Sequence, residues 1–160
     1  MLAGSEGGCD CGKVRYRLEC EPMFVTCCHC HSCQRQSGSA FALNMVIETD
    51  NITLLGEPPE AVELATDSGH GQANFRCPHC RVSVWSQFHQ AGANARFVRA
   101  GTLDDTHAIV PTMHIFTAAK QPWMIIPEDA EQFETFYRGK DVVRIFGEDS
   151  AARWKAVLER

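Results

Sequence analysis

Apolar and polar residues alternate along much of the chain. In KVRYRL (13–18), Val14, Tyr16 and Leu18 alternate with Lys13, Arg15 and Arg17. That period of two marks a strand with one buried face. AFALNMVIE (40–48) repeats it through Phe41, Leu43, Met45 and Ile47. ITLLG, AVELAT, QANFR, VSVWSQF, ARFVRAG, IVPTMHIF and PWMII are further strand candidates, and the turn signals GEPPE, DSGHG and QAGANA separate many of them.

The period changes after residue 126. PEDAEQFETFYRG (127–139) opens with Pro, Glu and Asp, sets Ala130, Phe133 and Tyr137 on one helical face and ends at Gly139. This pattern predicts a helix. EDSAARWKAVLER (148–160) predicts another, capped by Asp149 or Ser150, with Ala151, Trp154 and Leu158 along one side. The expected fold is mainly β: antiparallel sheets over residues 1–126, and a helical extension over 127–160 packed on the same domain as one or two short helices. The aromatic residues of that extension read as core or docking contacts rather than as a ligand box. No repeat or low-complexity tract interrupts the chain.

Composition narrows the functional classes. A chain of 160 residues makes one domain with a core that needs no staples. The formal net charge is -5 and no Lys or Arg run is present, which argues against nucleic acid or an anionic membrane as partner. The opening MLAGSEGG has neither a basic nor an apolar signal region, and no apolar run reaches the ~20 residues of a membrane span. A cytoplasmic location is expected, where thiols stay reduced. The nine cysteines are an odd number, so metal binding or catalysis explains them better than a disulfide framework.

Eight of the nine fall into three motifs. GGCDCGKVRY holds Cys9 and Cys11, CCHCHSC holds Cys27, Cys28, Cys30 and Cys33, and FRCPHCR holds Cys77 and Cys80; Cys20 stands alone. The CPHC turn can chelate one tetrahedral ion through Cys77 and Cys80, but supplies only half a site. Its complement is either the Cys9/Cys11 pair or members of the central run. An extended Cys-x-Cys pair points both thiols to one side, so Cys9, Cys11, Cys77 and Cys80 can form a closed four-thiolate site, a structural arrangement. Zinc is the expected ion, with iron the alternative.

In the central run, an extended 26–30 segment places Cys28 and Cys30 on one face and Cys27 on the other. A turn through His31 and Ser32 brings Cys33 back. Three thiolates and an exchangeable fourth position are the arrangement of a catalytic zinc, which makes Cys28, Cys30 and Cys33 the candidate catalytic residues. His29 or a folded-back His31 could instead close the site. Three thiolates make the ion a weak Lewis acid, so activating water is not its natural use. Binding an incoming thiol and removing its proton is.

GGCDCGKVRYRL, CCHCHSCQRQSGSAFA, NFRCPHC and AGTLDD...VPTMHIF...PW, in this order, resemble the glutathione-dependent formaldehyde-activating enzyme family over roughly residues 7–125. The resemblance implies a tent-like, Mss4-like β fold and two zinc sites. One would use Cys9, Cys11, Cys77 and Cys80, the other Cys28, Cys30 and Cys33. It also implies a carbon–sulfur lyase-type enzyme that adds glutathione, or a related small thiol, to formaldehyde or another small aldehyde. From the matched motifs, Arg35, Ser37 and His114 are candidates to steady the developing alkoxide. Arg81 stands where the family carries Gly, and Cys27 has no counterpart in the pattern. The competing reading is a non-catalytic zinc-binding or thiol-sensing module, whose cysteines would release the ion on oxidation. The other histidines, His70, His79, His89 and His107, read as loop residues, and Asp104 and Asp105 as a turn.

Overall fold

The computed structural model describes residues 1–66 and 69–160; Asp67 and Ser68, which open the DSGHG turn signal, lie outside the described residues. In chain order the elements are β1 (Glu6–Gly8), β2 (Arg15–Leu18), β3 (Phe24–Cys28), α1 (His31–Ser37), β4 (Ala42–Glu48), β5 (Ile52–Leu54), β6 (Glu60–Leu64), β7 (Gln72–Arg76), β8 (Ser83–Phe88), β9 (Ala95–Arg99), β10 (Met113–Ile115), α2 (Val142–Phe146) and α3 (Glu148–Leu158). A three-stranded antiparallel sheet has the order β1-β2-β5, and a seven-stranded sheet the order β10-β3-β4-β9-β8-β7-β6. Every pairing in the larger sheet is antiparallel except that of β10 with β3. The fold class is mainly β with short C-terminal helices, as expected.

The larger sheet is covered on both faces, and β4 shows why. Met45 and Ile47 pack with Tyr16, Leu18, Val84 and Val98 under the small sheet, while Ala42 and Val46 pack on the opposite face with Phe24, Trp154 and Val157. The alternation through Met45 and Ile47 therefore marks one true core face, but the residues between them are buried too. A strand covered on both faces reads as a nearly continuous apolar run. Tyr16, Leu18, Met45 and Ile47 are fully buried, each contributing about 1.5–3 kcal/mol of apolar transfer.

The C-terminal quarter departs from expectation in its first half. Residues 127–138 form no helix, and Gly139 only opens a single 3-10 turn, Gly139–Asp141. They run beside β10: His114 N–H donates to the Glu131 carbonyl (2.7 Å), Phe133 N–H to that of His114 (2.9 Å) and Phe116 N–H to that of Thr135 (2.8 Å). β10 would otherwise leave one edge of the sheet unpaired, and this segment supplies the missing partners. Phe133 and Tyr137 are packed into the core around Phe24 without any helical face. The second expected helix exists as α3. Its buried side is Ala151, Trp154 and Val157, while Leu158 is exposed, and Gly147 rather than Asp149 or Ser150 precedes its first turn. PWMII forms no strand, and its Trp123 and Ile125 face solvent. Arg153 of α3 anchors the helix to β4 through Glu48 (2.6 Å) and reaches Cys20 Sγ at 3.2 Å. No helix among the described residues is long and apolar enough to cross a membrane.

Candidate functional site

Cys9, Cys11, Cys77 and Cys80 converge, their Sγ atoms all within 4.8 Å of one another. Cys9 and Cys11 follow β1, and Cys77 and Cys80 sit in the turn between β7 and β8. Gly8 is required where the chain beside Cys9 closes on β2: a Cβ there would come within 2.2 Å of the Val14 carbonyl oxygen. The Cys9–Cys11 and Cys11–Cys77 sulfur separations are 3.4 and 3.7 Å. A tetrahedral ion with bonds of ~2.3 Å holds its sulfurs about 3.8 Å apart, so the cage has the dimensions of a zinc-thiolate site. Backbone N–H groups prepare it for negative charge. Those of Val82 and Cys11 lower Cys80 to about 6. Burial opposes ionisation of Cys9, yet the Val14 N–H (3.3 Å) and the neighbouring thiols outweigh it and hold Cys9 below its ordinary value. Cys11 has help from the Lys13 N–H, but burial and three adjacent thiols raise it to about 12. Next to the turn, Arg81 has φ 64°, the left-handed region that favours glycine.

Cys28, Cys30 and Cys33 form a second group of sulfurs within 4.8 Å of one another. Cys28 ends β3, Cys30 precedes the first turn of α1, and Cys33 lies inside that turn with its N–H 3.4 Å from Cys30 Sγ. The sequence gives α1 little helical period. Its best signal is Gly38, which closes the helix in the left-handed conformation. Cys28 and Cys33 are buried and Cys30 is half-buried. Hydrogen bonds from Cys28 and Cys33 draw Cys30 below the thiol range, and Cys28 is raised by donating to it.

Two residues the sequence did not flag hold this centre. Gln34 donates to the carbonyls of His29 (2.7 Å) and Ala119 (2.9 Å), and accepts from Gln121 (2.7 Å). It thereby fixes the turn that carries all three sulfurs. Arg99 of β9 donates to Gln36 Oε1 (3.1 Å) and to Asn44 Oδ1, and has no carboxylate partner among the described residues. Burial lowers its pKa, and the charges of Cys33, Cys28 and Cys30 oppose that. The guanidinium thus feels the charge of the thiols.

His29 is not directed at the trio. Its Nε2 lies 3.0 Å from His114 Nδ1 and 3.6 Å from Cys27 Sγ. These three donors form a third group on the face of β3 that alternation assigns to odd-numbered residues. Burial lowers His29 to about 4 and His114 below its ordinary value, and raises Cys27 to about 12. His31 opens α1 and is exposed. It lines a shallow cavity of about 250 Å³ with Ser32, Arg35, Gln36, Leu64 and Ala65.

The remaining candidates take structural positions. Ser37 Oγ donates to the carbonyls of Cys33 (2.8 Å) and Phe41 (2.9 Å) and closes α1. Asp104 pairs with Arg15 (2.7 Å), whose guanidinium holds the carboxyl below its ordinary range. Asp105 accepts from the His107 N–H (3.0 Å) in a turn. His79 and His89 pair at the surface with Glu57 (2.7 Å) and Glu63 (2.9 Å).

The molecule is therefore a mainly β protein in which two clusters of cysteines, and a third of cysteine and histidine, could each hold a soft or borderline metal ion. The family described as glutathione-dependent formaldehyde-activating enzyme matches residues 4–119, and the chain belongs to that family. A Halomonas elongata protein provisionally named a glutathione-dependent formaldehyde-activating enzyme is 26% identical over 159 residues, covering 96% of this chain and 95% of its own. A crystal structure of a Rhodobacter sphaeroides protein superposes with a TM-score of 0.48 at 15% identity, over 66% of this chain and 91% of that one.

Proposed function

We propose that the chain is a zinc-dependent carbon–sulfur lyase-type enzyme that adds glutathione, or a related small thiol, to formaldehyde or another small aldehyde. The observation that carries this reading is the trio itself: three convergent sulfurs, with His29 engaged elsewhere and His31 on the surface. In this reading Cys28, Cys30 and Cys33 are both zinc ligands and the catalytic centre. Cys9, Cys11, Cys77 and Cys80 hold a second zinc that maintains the fold, within a tent-like, Mss4-like domain and a C-terminal extension over 127–160. The protein works in the cytoplasm.

Cys28, Cys30 and Cys33 would hold a zinc ion, which would supply an incoming thiol with a lowered pKa near neutral pH. The chain's own groups do the rest. Gln34 keeps the three sulfurs in one turn, so the geometry exists before substrate arrives. Arg99 offsets the net negative charge that three thiolates leave on a divalent ion, and is a positioning residue. Arg35, exposed at the rim of the cavity beside α1, offers a cation to a carboxylate of the thiol substrate. In the addition, the thiol sulfur bonds to the aldehyde carbon and the carbonyl π pair moves to oxygen. The proton lost by the thiol ends on that oxygen, giving the S-hydroxyalkyl product with atoms and charge balanced.

The test is the rate of adduct formation from glutathione and isotopically labelled formaldehyde, followed by NMR against the uncatalysed reaction. Zinc-loaded protein should exceed the background, and Cys33→Ser should return to it. If zinc-loaded protein gives only the background rate with a panel of small aldehydes, the enzymatic reading is wrong. Zinc release on mild oxidation of Cys28, Cys30 and Cys33 would then favour a thiol-sensing module.

A further inference from the structure

We propose that Cys27, His29 and His114 form a third cation site, which takes a zinc-class divalent ion through one thiolate and two imidazoles. The backbone builds it. β10 runs parallel to β3 with His114 directly beside Cys27, so the two side chains rise from one face of the sheet. His29 follows two residues later, and its N–H continues the ladder by donating to the Ile115 carbonyl (3.0 Å), which returns its ring to the same face. Cys27, the residue left over by the Cys-x-Cys-x-x-C spacing, thereby acquires a use.

The dimensions fit. With bonds of ~2.3 Å to sulfur and ~2.05 Å to nitrogen, a tetrahedral ion sets sulfur and nitrogen about 3.6 Å apart and two nitrogens about 3.3 Å apart. The Cys27 Sγ–His29 Nε2 separation is 3.6 Å and the His29 Nε2–His114 Nδ1 separation is 3.0 Å. Between the rings an ion asks for an adjustment of a few tenths of an ångström, and all three donor atoms already lie within 4.8 Å of one another. His29 Nε2 is shared between the His114 ring and the Cys27 sulfur, so all three donor atoms converge on one point. Cys27 is 2% exposed, His29 is fully buried and His114 is half-buried. An ion would enter past the His114 ring, and the fourth position would open on that side. Binding releases one net proton, from the Cys27 thiol, and the imidazole that donates the hydrogen bond between the rings moves its proton to its other ring nitrogen. One thiolate and two neutral imidazoles leave a zinc ion with a net charge of +1, against -1 on three thiolates. This site would therefore be the stronger Lewis acid of the two.

The site stands independently of any turnover of thiols or aldehydes, so its test is metal stoichiometry. Metal-free protein is titrated with Zn²⁺, and with Co²⁺ as a spectroscopic probe. Equivalents are counted by native mass spectrometry in the wild type, Cys27→Ala, His114→Gln and Cys33→Ser. The wild type should bind one ion more than Cys27→Ala and His114→Gln, each of which loses the same equivalent. Affinity there should fall by more than the roughly 100-fold that loss of an outer-shell partner costs. Cys27→Ala should also lose one sulfur-to-cobalt charge-transfer component and one released proton, while His114→Gln loses the imidazole contribution. Cys33→Ser should lose a different equivalent, which separates this site from the trio. His114 is half-buried on a short strand, so His114→Gln keeps its fold and carries the test even if Cys27→Ala does not. Equal stoichiometry and affinity in the wild type and a folded His114→Gln would overturn the proposal, as would a wild type that gains no equivalent beyond the cage and the trio.

Discussion

Cys11 and Cys77 lie 66 residues apart in sequence and 3.7 Å apart at sulfur, whereas Cys28, Cys30 and Cys33 come from one short run across the end of β3 and the start of α1. An ion in the first cluster would close a long loop and tie the end of β1 to the β7–β8 turn. Closing a long loop removes much chain entropy from the unfolded state, and binding there becomes folding energy. The second cluster needs no such tie. β3 is held between β4 and β10, α1 is closed by Gly38, and Gln34 locks the turn. An ion there adds little to folding, and its binding energy remains available for chemistry. The two clusters share a ligand type, and the difference in topology around them is what the proposed division of tasks rests on.

The largest expected break in this comparison is Cys77→Ser. Structural zinc contributes on the order of 10 kcal/mol in small zinc domains, so this variant should lose its cooperative thermal transition by circular dichroism. A sharp wild-type-like transition would refute a structural role for the cage. Next is Trp154→Ala. Trp154 packs edge-on against Phe24 (5.3 Å between ring centres) in the same core cluster as Cys28 and Cys33. Truncating it should cost about 3–5 kcal/mol. In metal-free protein, thiol-reagent labelling of Cys33 should rise more than that of Cys77; equal increases would show that the two clusters do not open separately. Cys33→Ser should cost about 1–2 kcal/mol in denaturant unfolding while removing the trio's ion and the accelerated adduct formation. An unfolded Cys33→Ser would make the trio structural and erase the contrast. The smallest effect is Arg81→Gly. Relief of a left-handed backbone, about 1–2 kcal/mol, is partly offset by glycine's extra freedom in the unfolded chain, about 0.5–1 kcal/mol. A net gain of about 0–1.5 kcal/mol should raise the melting temperature slightly. A drop would show that the exposed Arg81–Glu60 pair (3.3 Å) matters more than the backbone.

The readable part of the fold was the part with a local physical signature. Tyr16 and Leu18, or Met45 and Ile47, declare a strand because side chains alternate across the pleat. Trp154 and Ala151 declare α3 by their helical spacing. The segment 127–139 misled because its helical spacing is real, yet the unpaired edge of β10 offered its backbone better partners. β1 was hidden because EGG carries no apolar pattern, and α1 because HSCQRQS carries no helical stripe. Gln34 and Arg99 gave no signal, since their importance lies in carbonyls and amides contributed by distant parts of the chain.

Sequence alone determined the three cysteine motifs, the side of an extended segment on which each thiol falls, and the family. These depend on spacing, which is local. The tertiary structure decided which half-sites meet, because only the packing of the small sheet on the large one brings Cys11 to Cys77. It decided that His29 turns to His114 rather than to the trio, because the parallel register of β10 places that histidine beside Cys27. It also decided where charge sits, because Arg99 comes from β9, two strands away from β3, and its charge acts on the thiols only through that arrangement of strands.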